Sequence, residues 1–276
     1  TNQALAIIRL KNQSIFINKY IYLILTSDFI QNQLDGLKIG IAQPNLSLAQ
    51  INDFKIPYPP LEIQQIIVDE CSIIDVECEN AVNELEKAKI NIEVKYNDLY
   101  NKSNNNYRLN NDELFEVSIG RRILAKDVVE DSEGAIPVFS ANVFQAFGFI
   151  KKELIKDFSK PSVLWGIDGD WMVNTIPANN PFYPTDHCGV IRIKTDEIHY
   201  KYLAWVLNKE GENTRFSRAN RASTDRIKGV TIKAPTIKEQ QKVIAEIEKL
   251  EQIIVNSQII IDSSAEKKKE ILNKYL

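Results

Sequence analysis

One stretch of this chain is written twice, and that repetition constrains the fold more than any other feature. "PPLEIQQIIVDE" at Pro59 to Glu70 returns as "PTIKEQQKVIAE" at Pro235 to Glu246. Pro235 stands 176 residues after Pro59, Gln240 176 after Gln64 and Gln241 176 after Gln65. The same offset runs backwards through Ile56 and Ile232, Ile51 and Ile227, and Ser47 and Ser223. Further upstream it drifts to 182 and 183, pairing Tyr20 with Tyr202, Leu25 with Leu207, Arg9 with Arg192 and Lys11 with Lys194, as loops of unequal length require. Two copies of one unit are present, and a repeat decides the fold before any single motif does.

Forward of the prolines the copies agree in pattern. Cys71, Cys78, Leu85, Ile92 and Leu99 occupy one heptad position and Ile67, Ile74, Ala81 and Ala88 another, a 3.5-residue apolar seam on a long helix. Adding the offset gives Ile247, Ile254, Ile261, Lys268 and Tyr275 for the first position and Val243, Leu250, Ser257 and Ser264 for the second. Small residues coincide, Ala81 with Ser257 and Ala88 with Ser264, so both helices are thin at the same levels. Two matching stripes predict that the helices pack on each other.

The chain then parses as the tail of a globular unit (1–60), a long helix (61–104), a complete globular unit (105–236) and a second long helix (237–276). The asparagine-rich "NKSNNNYRLNN" from Asn101 to Asn111 marks the break after the first helix. Helices of about 40 residues run ~60 Å at ~1.5 Å per residue. A unit of about 130 residues, with a radius of gyration near ~14 Å, does not carry the chain back that far, so the pairing is expected to be antiparallel. The expected fold is α/β (α+β), with a pseudo-twofold internal repeat and two long antiparallel coiled-coil helices. The stretch 105–184 of the second unit has no counterpart in the first. With Thr1 at the start, this reads as a fragment or split gene product, since half an α/β unit leaves open sheet edges. The other reading is a smaller natural variant.

At 276 residues and 44% hydrophobic content, the chain supports one large or two medium globular units. Apolar runs fall far short of the ~18 residues of a membrane span, and no secretion leader is apparent. Three cysteines, two of them (Cys71 and Cys78) one heptad apart, indicate packed thiols in a reducing, cytoplasmic compartment and neither a disulfide frame nor a metal site.

The net charge of −3 conceals a division. Residues 61–104 hold ten acidic residues against four lysines, whereas residues 213–233 hold six basic residues against Asp225 alone. Within "RFSRANRASTDR", Arg215, Arg218, Arg221 and Arg226 alternate with Asn220, Ser223 and Thr224. Guanidinium forks suit phosphate or guanine, and amides and hydroxyls suit base edges, so the loop is the first DNA-binding candidate. A solvated basic surface loop is the competing reading. Arg121 and Arg122 in "SIGRRILAK" and Asn142 in "FSANV" complete the candidate set, Asn142 also being placed to turn the chain.

Catalytic residues are not apparent. "NNPFY", Asn179 to Tyr183, approaches the Asn-Pro-Pro-aromatic loop of amino-methyltransferases, but lacks the second proline and any glycine-rich cofactor loop; a turn held by Pro177, Pro181 and Pro184 explains it. "WGIDGDW" supplies Asp168 and Asp170 without a partner carboxylate-and-lysine cluster, and reads as a glycine turn with aromatics in the core. His187 and His199 have no nucleophile elbow beside them and read as structural. No Gly-x-x-x-x-Gly-Lys-Ser/Thr loop is present.

These residues resemble a known family, the specificity subunits of Type I restriction-modification systems. "IPYPPLEIQQIIV" and "IKAPTIKEQQKVI" are similar to that family's two starts of its spacer helices. "IPVFSANV", "SVLWGIDGDW" and "PFYPTDHCGVIRIK", with "TDH" at Thr185 to His187, follow its target-recognition-domain pattern. The resemblance implies target-recognition domains that each read half of a bipartite double-stranded DNA sequence, with the helix pair as a ruler for the spacer. It implies no catalysis in the chain itself: DNA methyltransferase subunits bring S-adenosylmethionine, and ATP-dependent restriction subunits bring ATP, magnesium and cleavage. Two alternatives stay open, the recognition portion of a fused restriction-methylation enzyme and a coiled-coil scaffold that binds protein.

Overall fold

The computed structural model describes residues 7–11, 14–37 and 47–276. Helices α1 (Asn18–Leu25), α2 (Asp28–Leu37) and α3 (Leu48–Asn52) lead into the long α4 (Leu61–Asn101). Nine strands follow: β1 (Asn105–Arg108), β2 (Phe115–Ile119), β3 (Ile136–Phe139), β4 (Gly148–Ile150), β5 (Ser162–Gly166), β6 (Val173–Ile176), β7 (Tyr183–Pro184), β8 (Cys188–Ile193) and, after α5 (Tyr200–Thr214) and α6 (Thr224–Lys228), β9 (Thr231–Ala234). Helix α7 (Ile237–Tyr275) ends the chain. Two compact units result, one of the described residues up to Lys89 with Gln252–Leu276, the other Ile90–Glu251. Each long helix is shared between them.

In the first unit, Tyr20, Ile21 and Ile24 of α1 pack with Ile67, Val68 and Cys71 of α4 and Leu272 of α7. Ion pairs join Glu70 to Lys274, Asp75 to Lys268 and Glu77 to Lys267, so residue numbers fall along α7 as they rise along α4. The helices are antiparallel here. Lys268, the one charged seam position, is neutralised across the seam by Asp75. In the second unit Lys95 of α4 meets Glu246 of α7 at 2.5 Å, again in antiparallel register. Every expected seam residue, from Ile67 to Leu99 and from Val243 to Tyr275, is buried or half-buried.

The repeat is realised atom for atom at one glutamine in each unit. Gln64 is fully buried; its amide nitrogen donates to the carbonyls of Pro59 (2.9 Å) and Ile15 (3.0 Å), and its oxygen accepts from the Ile17 N–H (3.0 Å). Gln240 is equally buried, donating to Pro235 (2.8 Å) and Glu197 (2.9 Å) and accepting from the His199 N–H (2.9 Å). Both join the start of a long helix to the residues leading into a shorter one, α1 or α5. Beside each, a buried tyrosine hydroxyl donates to the chain before the helix, Tyr20 to Pro57 and Tyr202 to Lys233. Burial pushes both phenols up to about 12, so each remains a donor at neutral pH.

The second unit carries the sheets. The four-stranded sheet, ordered β2-β8-β5-β6, is antiparallel throughout. Side chains alternate along its strands. Phe115, Val117, Val163, Trp165, Ile191 and Ile193 join Tyr202, Leu203, Val206 and Leu207 of α5 in one core, while Leu164, Cys188 and Val190 join Phe139, Val143 and Phe182 in another. Two covered faces explain why "SVLWG" is buried at every residue. A three-stranded sheet, β4-β3-β7, and a β1-β9 pair complete the unit.

Residues 7–11 differ from the repeat. Their counterparts in β8 are laddered on both sides by β2 and β5, whereas residues 7–11 lie outside any strand and Ile7 and Ile8 are exposed. A strand is held by its neighbours, and among the described residues none flanks this segment. Residues 1–6, 12, 13 and 38–46 of the expected 1–60 segment lie outside the described residues.

Candidate nucleic-acid interface

The register of the four-stranded sheet decides where the candidate residues meet. Gly166, the last residue of β5, faces Cys188, the first of β8, and Ile119, the last of β2, faces Gly189. The loops that follow β2 and β5 and the one that precedes β8 therefore leave the sheet at the same end. Phe139 of β3 pairs with Pro184 of β7, which brings the 140–145 loop to that end too. Close backbone approach locks the arrangement: a Cβ on Gly166 would stand 2.3 Å from the Ala141 carbonyl oxygen, and one on Gly120 would stand 1.9 Å from that of Pro184.

The arginine loop after α5 is drawn in by the same strand end. The Trp165 indole N–H donates to the Ala222 carbonyl at 2.8 Å, and the Ala222 N–H donates to the Ile167 carbonyl at 3.3 Å. Ile167 in turn donates to the His187 carbonyl at 3.1 Å. Three loops distant in sequence are stitched at Ile167. Trp165 fits because position 189 is glycine; a Cβ there would stand 2.1 Å from the indole ring.

At the next residue the stitching becomes ionic. Asp168 receives the Nδ1 of His187 on one carboxylate oxygen and the Nε of Arg221 on the other. Burial works to raise the Asp168 pKa, but the hydrogen bond from His187 and the guanidinium of Arg221 outweigh it and hold the carboxyl below its usual range. The Asp168 side chain is 18% exposed, against 48% for His187 and 63% for Arg221. A sequestered anion thus carries two protruding nitrogen-rich groups. Gly169, at φ 92°, makes the turn beyond it, and Trp165 and Trp171 flank the turn in the core.

Each candidate has a definite place. Arg215 caps α5 in the left-handed conformation (φ 57°) with its side chain exposed. Asn220 donates to the carbonyls of Thr214 (3.0 Å) and Arg215 (3.3 Å), and its oxygen accepts from Arg226, which also reaches the Arg221 carbonyl at 3.3 Å. Asn220 and Arg226 are therefore engaged in shaping the loop. Arg218 is exposed, and Ser223, at the N-cap of α6, is exposed with no capping bond from its hydroxyl. Arg122 lines a cleft of about 420 Å³ together with Ser140, Phe147, Thr185, Asp186 and His187. Arg121 turns to a different cleft, beside Lys156, Asp157 and Arg192. The Asn142 oxygen accepts from the N–H groups of Phe144 (3.0 Å) and Gln145 (3.1 Å), which makes it the hinge of its loop.

From the sequence Asp168 reads as part of a glycine turn and His187 as structural; nothing there joins the two to each other or to the arginine loop. Thr185 orders their side of the site: it is buried, its hydroxyl bonds Ser140 Oγ at 3.1 Å, and it accepts from the His187 N–H at 3.3 Å. The "TDH" motif was visible, but its partner Asp168 lies 19 residues before His187 and Arg221 34 residues after it. His199 is separate from this site. It is the N-cap of α5, with Nδ1 accepting from the Lys201 N–H at 3.3 Å, and burial followed by the charge of Lys201 lowers its pKa. Among the described residues no group of three or more His, Cys, Asp or Glu side chains is placed to hold a metal ion, and no helix is long and apolar enough to cross a membrane.

The family model described as Type I restriction modification DNA specificity domain matches residues 1–96 and 104–265. A putative type I specificity subunit N-terminus, S.MpnORF289P from Mycoplasma pneumoniae, is 29% identical over 86 residues, 31% of this chain and 46% of that protein. The match thus spans about half the length of that relative. The S subunit of a Type I restriction-modification system from M. genitalium superposes with a TM-score of 0.65 at 14% identity, over 97% of this chain and 74% of that one. The HsdS subunit of Thermoanaerobacter tengcongensis gives 0.51 at 16% identity, over 96% and 71%. A chain solved in work on complex assembly and conformational transition of the type I R-M system gives 0.58 at 19% identity, over 96% and 72%. At these identities the structural likeness speaks to the fold.

Proposed function

We propose, from the premise that this chain belongs to the Type I restriction modification DNA specificity domain family, that it selects the DNA sequence on which a restriction-modification complex acts. The observation that carries the reading is the convergence at one sheet end of guanidinium groups from two separate loops, Arg122, whose cleft His187 lines, and Arg221, which shares Asp168 with His187; Arg215 and Arg218 stand exposed on the loop of Arg221. Such a surface suits the sugar-phosphate backbone electrostatically and base edges through its fixed forks. In this reading the residues 90–251 read one short half-site. The internal repeat supports a two-part target whose unspecified spacer is set by α4 and α7. The chain binds and directs in the cytoplasm without catalysing a step. DNA methyltransferase subunits supply S-adenosylmethionine chemistry, and restriction subunits supply ATP-driven cleavage with magnesium.

The test is selection from random duplex DNA by the chain co-expressed with its neighbouring methyltransferase subunit, followed by sequencing of what is retained. The reading expects a defined short motif. A stable complex that retains no preferred sequence would favour a protein-binding scaffold instead. Arg218→Ala serves as the contact probe: a phosphate contact loses affinity on all sequences and flattens the salt slope by about one unit, whereas a base contact relaxes one position at ~1–3 kcal/mol.

A further inference from the structure

We infer that Asp168 is a positioning residue for DNA reading, and that the guanidinium it anchors, Arg221, recognises a guanine in the half-site. This rests on the DNA-specificity reading above and goes further by naming a base and the device that reads it.

The argument begins with how Arg221 is held. Its neighbour Ala222 is fixed at both backbone polar groups, the carbonyl by Trp165 and the N–H by Ile167, so Arg221 leaves a rigid platform. Its Nε meets Asp168, a carboxylate that is itself sequestered and tied to His187. The ion pair with Asp168 is made through Nε on a side chain that remains largely exposed, which leaves the two terminal Nη groups available to a partner. Two parallel N–H donors on a planar, immobilised group match the O6 and N7 acceptors of guanine in the major groove. Immobilising the side chain beforehand also removes part of the ordering cost of binding.

The same geometry argues against a phosphate as the partner. A carboxylate directly behind the guanidinium cancels much of its charge and would repel a phosphodiester, while leaving its hydrogen-bonding fork intact. Arg218 is exposed, with no carboxylate paired to it among the described residues, and suits a phosphate better; Arg221 is built for direction over charge. His187 stands on the other oxygen of Asp168 and lines the Arg122 cleft, so one carboxylate sets two neighbouring contact groups.

The experiment is the same random-duplex selection with the co-expressed complex, run on wild type, Arg221→Ala, Asp168→Asn and Arg218→Ala, with thermal unfolding measured for each. The expected result is a wild-type motif containing a guanine whose preference falls on the order of tenfold in Arg221→Ala and in Asp168→Asn, with the other positions kept and the salt slope unchanged. Arg221 lies on the surface, so its variant reads the site even if Asp168→Asn lowers stability. Uniform loss of affinity in Arg221→Ala with a flattened salt slope would make Arg221 a phosphate contact and overturn the inference. So would an Asp168→Asn motif identical to wild type, with the broader DNA-specificity reading left standing. A wild-type complex that selects no motif removes both.

Discussion

The two units keep the same joint and differ in what is mounted on it. Gln64 and Gln240 make matching sets of hydrogen bonds, and Tyr20 and Tyr202 donate to matching carbonyls. The divergence lies in the loops. At α3, Ser47 and Gln50 close a reciprocal capping box. At α6, the matching Ser223 has Arg226 in place of that glutamine, and Arg226 turns back to Asn220. The same helix start therefore serves stability in one unit and, in the other, holds an arginine-rich loop in shape at the expense of the cap. Framework atoms are repeated; among the described residues the candidate contact surface belongs to the second unit.

The sharpest way to break that comparison is at the glutamines. Gln240→Ala strands a buried N–H and two carbonyls, and an expected loss of about 3 kcal/mol or more follows for the second unit. All three tryptophans, Trp165, Trp171 and Trp205, lie in that unit, so urea unfolding followed by tryptophan fluorescence reads it directly. Gln64→Ala, followed by hydrogen exchange across α1, is expected to cost a similar amount. A Gln64 effect below about 1 kcal/mol would show that the repeat is one of geometry and not of energetics.

Next in size is Trp165→Phe, which leaves the buried Ala222 carbonyl without its indole donor and is expected to cost about 2 kcal/mol. It should also loosen Arg221 and blunt sequence preference, measured by the same duplex selection. No residue of the first unit is predicted to couple stability to DNA preference in this way.

A smaller effect separates the two helix N-caps. His199 occupies the place that Ile17 holds in the first unit, and its pKa is lowered in the folded chain. The unfolded chain therefore binds the proton more readily, so this contribution is full above about pH 6.5 and declines as pH falls below it. His199→Ile removes that dependence and the cap, at about 1 kcal/mol near neutral pH. Denaturant midpoints at pH 7.5 and 5.5 test it; an unchanged pH slope in the variant would assign the dependence elsewhere. Least of all, Asp75→Asn at the Lys268 seam position is expected to cost less than about 1 kcal/mol, and the loss should shrink in high salt.

The periodic part of this fold was legible in the sequence because periodicity survives without knowledge of contacts. The offset between Gln64 and Gln240 and the alternating seam from Ile67 to Leu99 state their own geometry, and α4 and α7 span Leu61–Asn101 and Ile237–Tyr275. The interface was legible only as ingredients. Arginine spacing singles out residues 215–226, yet which arginine is engaged within the protein depends on Asn220, the Arg221 carbonyl and Asp168. The "WGIDGDW" turn does hold aromatics in the core, as its glycines and tryptophans suggest. Its ionic role rests on the register between β5 and β8, which brings Asp168 to His187 and which no local pattern encodes.

The cysteines give the seam a clock. Burial raises the Cys71 thiol above its ordinary value and pushes Cys188 up to about 12, so neither offers an appreciable thiolate at neutral pH. Cys78, half-buried along α4, is the third. Alkylation of the native chain should therefore begin at Cys78, at a rate set by how often the packing around that turn opens. The unaltered protein carries its own timer for breathing in the first unit, readable by mass spectrometry without an engineered label.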